Sequence, residues 1–157
     1  MILQRLLFGG DGSQIRLTGA AAVGIPLGVA AGALRGWCYR ELGKYFTFEM
    51  SMVKDQSLVT TGPYSIVRHP SYAGTVLTGI SVFLIHATRG SWVRESGFLR
   101  YFPGKMGAIF FAVALGLAAS ALLGRMKAED RELRVRFGEK WDAWAAKVRY
   151  MIIPGVI

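Results

Sequence analysis

Leu58-Val59-Thr60-Thr61-Gly62-Pro63-Tyr64-Ser65-Ile66-Val67-Arg68-His69-Pro70-Ser71-Tyr72-Ala73-Gly74 sets turn formers, an Arg-His pair and two tyrosines directly against a long apolar segment. Gly62-Pro63 fixes a turn, and Pro70 suits the first turn of a helix, so Arg68 and His69 are expected at a helix mouth. Such a mouth presents free backbone N–H groups and favours anions. The stretch therefore predicts an anion-binding helix start at the edge of an apolar span.

The surroundings are those of a bilayer. Of the 157 residues, 52% are hydrophobic and 20 are glycine, too apolar for a typical soluble domain. Three runs contain no Asp, Glu, Lys or Arg: residues 17–34, 69–88 and 106–124, each close to the roughly 20 residues that cross a membrane. The expected fold is an all-α integral membrane protein, a single domain of about three transmembrane helices with a cytoplasmic C-terminal helical segment.

Charge orients it. Residues 35–68 and 125–150 hold 13 of the 19 Lys and Arg, so by the positive-inside rule the Arg68 segment and the C-terminal segment face the cytoplasm together. Arg89, Arg94, Arg100 and Lys105 run against this asymmetry, because they fall in the opposite loop. The net charge of +9 is interspersed with acids and flanks the spans, which points to anionic lipid as the partner and away from nucleic acid. Cys38 is the single cysteine, which excludes an internal disulfide and a cysteine-based metal cluster.

Along the chain, span one is rich in Ala and Gly with Pro26 in its middle, a composition for close helix packing. Arg35, Trp37, Tyr39 and Arg40 mark an interface, and Leu42-Gly43 stops the helix. Span two starts at Pro70. His86 lies 17 residues beyond His69, roughly 25 Å along a helix, so the two histidines cannot share a site. Span three has Gly107, Gly116, Ala118, Ala119 and Ser120, again spaced for helix contact, and runs on as a charged helix to about Phe137-Gly138. A last helical piece carries Trp141 and Trp144 on a membrane-surface or core face. Arg125 and Glu129 are four apart on one helix face, which allows an ordinary intrahelical pair or a cation and a carboxylate offered to a ligand.

The motif at 58–74, followed after one further span by Arg125, Glu129-Asp130, Leu133, Phe137-Gly138 and Ile153-Pro154, resembles the isoprenylcysteine carboxyl methyltransferase family, with a looser likeness to membrane phospholipid methyltransferases. The resemblance covers about residues 36 to 154. It implies a membrane enzyme that binds S-adenosylmethionine at the cytoplasmic face, in the endoplasmic reticulum if eukaryotic and the inner membrane if bacterial, and methylates the carboxylate of a prenylated cysteine. It implies cofactor contacts at Gln56, Ser57, Leu58, Val59, Tyr64, His69, Pro70, Ser71, Tyr72 and Glu129. Arg125 falls on the family's acceptor-binding arginine, so Arg125 and Glu129 are the expected catalytic pair, with Arg125 and Arg68 toward the acceptor and no metal.

Two departures stand out: the family's paired glutamates are Glu129-Asp130 here, and the N-terminal membrane portion is shorter than in many eukaryotic members. Alternative readings are a phospholipid amine or other small lipophilic acceptor, and a non-catalytic membrane scaffold of the same fold. Three spans enclose little space for a lipid, so a homodimer is a further expectation.

Overall fold

The computed structural model describes residues 12–45 and 57–156. Among these residues there is no strand. Five α-helices follow in order: α1 (Gly19–Leu42), α2 (Pro70–His86), the short α3 (Trp92–Glu95), α4 (Phe102–Phe137) and α5 (Glu139–Lys147). Four single turns of 3₁₀ helix join them, one of which, Gly62–Ser65, lies inside the motif.

Each boundary has a local cause. α1 ends where Gly43 takes a left-handed φ of 51°, and α4 is separated from α5 by Gly138 at φ 52°. α2 opens on Pro70, whose missing N–H costs nothing at a helix start. α4 runs unbroken for 36 residues, so the third apolar run and the charged segment after it form one rod.

The chain divides into two compact units. The first comprises Met1–Ala30 and Leu77–Ala119. In it α1 and α2 touch through small residues: a Cβ on Gly28 would lie 2.6 Å from Ser81 Oγ, and the Ser81 hydroxyl donates to the Gly24 carbonyl at 2.7 Å. The second unit comprises Ala31–Val76 and Ser120–Ile157. Here a Cβ on Gly74 would lie 3.1 Å from the Ala31 carbonyl oxygen, and Arg35 donates to Thr75 and to Tyr39.

Two apolar clusters hold the second unit. Cys38, Tyr64, Trp144 and Val148 form one, with Leu34, Leu42, Leu58, Val59 and Trp141 against it. Ala73, Met126 and Ile152 form the other, with Leu34, Tyr72 and Met151. Trp144 thus lies on a core face: its indole N–H donates to the Tyr64 carbonyl at 3.1 Å and so fixes the turn that carries Tyr64.

α1 and α4 are long and apolar enough to cross a membrane; α2 has 17 residues and falls just short of that length. The apolar part of α4 is bare, with Phe102, Phe110 and Leu117 each more than half exposed. Its small residues do not pack as expected: a Cβ on Gly107 or Gly116 would meet nothing within 4 Å. A small-residue pattern shows that a helix can be approached closely, but the approach of α2 to α4 comes at Leu115, whose Cδ1 would lie 3.8 Å from a Cβ on Gly79, and it leaves Gly107 and Gly116 open.

Candidate functional site

The motif is pinned before its polar groups are used. Gly62 takes φ 56°, and a Cβ there would lie 2.7 Å from the Glu41 carboxylate, so the position demands glycine for backbone and space alike. Glu41 in turn accepts from the Thr61 hydroxyl at 2.9 Å and from the Trp37 indole at 3.1 Å, which ties the end of α1 to the turn. Tyr64 follows, buried against Cys38 and Trp144. Burial pushes its phenol well above the ordinary tyrosine range.

Arg68 and His69 then meet two partners. Their backbone N–H groups donate to the carbonyls of Tyr150 (2.9 Å) and Met151 (2.8 Å), so the C-terminal segment is strapped across the start of α2. Tyr72 and Ala73 donate their N–H groups to the His69 carbonyl, and Pro70 has none to give. The expected mouth of free N–H groups is therefore largely closed by the protein's own carbonyls. Nothing in the motif itself announces this, since the acceptors lie 82 residues further along the chain.

The side chains converge on α4. Asp130 Oδ2 accepts from Arg68 Nε at 3.2 Å, while Asp130 Oδ1 lies 3.0 Å from His69 Nε2. Arg68 also donates to the carbonyls of Val148 (3.2 Å) and Arg149 (2.8 Å). His69 is 3% exposed and Asp130 13%, so this is a water-poor network with the carboxylate as its hub. An ionised carboxylate only accepts, which puts the proton of that bond on His69 Nε2.

Glu129 stands one residue away with a different outlook. Its Oε2 accepts from the Tyr72 hydroxyl at 3.0 Å and lies 3.9 Å from His69 Nδ1, yet its side chain is 40% exposed. Arg125, one turn earlier on α4 and exposed, acts on the same Tyr72 hydroxyl. His69 thus faces two carboxylates, so acceptor oxygens of the protein already stand where a bound anion was expected. What remains open to a ligand is a half-exposed carboxylate, a phenol and a guanidinium.

The structure brings Arg68, His69, Tyr72, Arg125 and Glu129 together, with Pro70 fully buried beneath them and Ser71 partly exposed. Leu58 and Val59 pack into the apolar cluster around Tyr64, and Ser57 is exposed. Gln56 lies outside the described residues. Sequence reasoning missed the hub role of Asp130, visible there only as a departure from a paired glutamate. It also missed the strap at Tyr150 and Met151, for which backbone acceptors leave no sequence signal.

Among the described residues no group of His, Cys, Asp and Glu is arranged to hold a metal ion. Among the described residues, then, the chain has two apolar helices of a length that could cross a membrane, and a buried polar network beside a half-exposed carboxylate. The chain belongs to the isoprenylcysteine carboxyl methyltransferase (ICMT) family, whose model matches residues 23–102. That match takes in α1, the motif and α2, and ends as α4 begins, so Arg125, Glu129 and Asp130 lie beyond it.

The chain is also 28% identical over 111 residues to a 7-dehydrocholesterol reductase of Arabidopsis thaliana, covering 71% of this chain. It spans only 22% of the length of that protein. No solved structure matches the chain.

Proposed function

We propose that this family member is an S-adenosylmethionine-dependent methyltransferase that acts at the cytoplasmic membrane face on the C-terminal carboxylate of a prenylated cysteine. The observation that carries the reading is Glu129: a carboxylate bonded to Tyr72, flanked by Arg125, and still open to a ligand. The cofactor, when bound, supplies an electrophilic methyl on a sulfonium. The donor set fits its charges, since Glu129 can accept from an ammonium or a ribose hydroxyl and the Tyr72 ring can lie against a cation.

In this reading His69 and Asp130 position Glu129 and exclude water, and Arg68 anchors Asp130 to the C-terminal strap. Ser57, Leu58, Val59, Tyr64, Pro70 and Ser71 form the remaining wall. Arg125 orients the acceptor carboxylate, which is already ionised at neutral pH and needs no general base. Catalysis then rests on alignment of the two reactants and a dry site. α2, about 25 Å long at 1.5 Å per residue, serves as a third span, and the bare face of α4 is covered by lipid.

Incubation of purified protein with labelled S-adenosylmethionine and a farnesylated cysteine analogue tests this. Transfer of label to an alkali-labile ester is expected; no transfer together with no cofactor binding by calorimetry refutes it. The likeness to a 7-dehydrocholesterol reductase favours a second reading, in which the lipophilic substrate is sterol-like. An acceptor panel of prenylcysteine, amine lipids and sterols separates the two by which member is consumed.

A further inference from the structure

The arginines that run against the charge asymmetry of the sequence are gathered in one place. A cavity of about 410 Å³ in the first unit is lined by Gln14, Arg16, Arg89, Gly90, Arg94 and Glu95. Its frame is built by Gly90: the Gly90 carbonyl accepts from the Arg16 backbone N–H at 3.2 Å, which brings the segment before α1 against the loop after α2. Gly90 takes φ 85°, and a Cβ there would lie 2.5 Å from the Thr18 methyl, so only glycine lets the two segments cross this closely.

The charges in the cavity are unequal in their commitments. The one carboxylate, Glu95, spends Oε1 on the Gly90 N–H at 2.8 Å. Arg94 gives one nitrogen to the Ala87 carbonyl at 3.3 Å and keeps the rest of its fork. Arg16 and Arg89 are exposed, and neither side chain has a hydrogen-bond or ion-pair partner among the described residues. Three guanidinium groups against one carboxylate, in a space of ligand size, are arranged for an anion with several acceptor oxygens.

We infer that this cavity binds a phosphate group, the planar arginine forks matching its oxygens. The same chemistry is offered by an anionic phospholipid headgroup and by free phosphate. The rim favours the first: Leu17, beside Arg16, is 73% exposed, and Trp92, between Arg89 and Arg94, is 46% exposed, so apolar surface adjoins the charged cavity. A lipid phosphate bound here also accounts for arginines placed where the positive-inside rule discourages them.

The test uses the whole chain in zwitterionic detergent, titrated separately with dihexanoyl phosphatidylglycerol, dihexanoyl phosphatidylcholine and inorganic phosphate, and read by thermal midpoint and Trp fluorescence. Saturable binding of phosphatidylglycerol, roughly tenfold tighter than of phosphatidylcholine, is expected, and Arg89→Gln should weaken it roughly tenfold, the size of one charge-assisted hydrogen-bonded contact. Arg89→Lys should recover part of the loss, and Lys140→Gln, which removes a surface charge elsewhere, should cause none. Because Arg89 has no described protein partner, its variants should keep the parent's helical signal, which circular dichroism checks. Binding of inorganic phosphate alone, equally sensitive to Arg89→Gln, supports the site and assigns it to free phosphate. Equal binding of the two lipids without phosphate binding, or equal effects of Arg89→Gln and Lys140→Gln, overturns the inference.

Discussion

Replacing Asp130 separates a structural hub from a spectator charge. The carboxylate accepts from Arg68 Nε at 3.2 Å and meets His69 Nε2 at 3.0 Å, in surroundings 3 to 14% exposed. Asp130→Ala strands the Arg68 charge and the imidazole N–H, and breaking a buried pair in this way costs about 3–5 kcal/mol. Asp130→Asn keeps one acceptor oxygen, which can still take the Arg68 N–H, and presents its NH₂ to His69. That geometry needs His69 to move its proton from Nε2 to Nδ1, toward Glu129 Oε2 at 3.9 Å. The loss is then one charge-assisted bond reduced to a neutral one, about 1–1.5 kcal/mol. Detergent-denaturant unfolding followed by circular dichroism should rank the variants parent, Asn, Ala. Nitrogen NMR of labelled histidine should show the protonated ring nitrogen exchanged in the Asn protein alone. Glu132→Ala, an exposed acid on the same helix, should stay within about 0.5 kcal/mol of the parent. An Asp130→Ala cost as small as that of Glu132→Ala, or an unchanged tautomer in Asp130→Asn, would refute the hub.

Glu129→Gln should weaken S-adenosylmethionine binding by about 10- to 100-fold in calorimetry, the worth of one charge-assisted hydrogen bond, while Arg125→Ala should raise the KM for the prenylcysteine acceptor and leave cofactor binding nearly intact. Gly74→Val should destabilise the protein by about 1–3 kcal/mol, because its Cβ would lie 2.6 Å from Arg35 Cγ and 3.1 Å from the Ala31 carbonyl; an unchanged melting midpoint would show that α1 and α2 do not pack there. Tyr64→Phe should remove part of the alkaline loss of stability. The folded phenol titrates above its unfolded value of about 10, so above pH 10 the unfolded chain releases a proton that the folded chain keeps, and stability falls as pH rises. A parent and a Phe variant with parallel stability curves from pH 9 to 11 would contradict the burial of Tyr64.

How much of this the sequence carried depends on the range of the interaction. Pro70, Gly43 and Gly138 act within a few residues, and the helix boundaries they predict are close to those observed. The three apolar runs were legible in the same way, because solvation is a property of composition. Two of them fall largely in helices long enough to cross a membrane, and the other largely in a 17-residue helix. The convergence of Arg68, His69 and Tyr72 on α4 was legible only through the order of two motifs that resemble a known family. Physical reasoning on the motif alone went astray at one point: it counted the N–H groups at the start of α2 as free, since their acceptors at Tyr150 and Met151 are main-chain carbonyls that any residue supplies.

That error changes what the motif does. With the N–H groups of Arg68, His69, Tyr72 and Ala73 bonded within the protein and its histidine set between two carboxylates, the start of α2 fastens the C-terminal segment. The division of labour then falls between adjacent residues of α4. Asp130, 13% exposed, is consumed by Arg68 and His69, whereas Glu129, 40% exposed, keeps an oxygen edge toward solvent while Tyr72 steadies it. The shorter side chain at 130 suits this arrangement, since it holds the carboxylate close to the helix, where both Arg68 Nε and His69 Nε2 reach it. A glutamate there would carry the carboxylate one methylene further into space that His69 and Arg68 already fill. The aspartate at 130 therefore suits the observed network: its carboxylate is taken up by Arg68 and His69, and Glu129 is the one left half-exposed beside Tyr72.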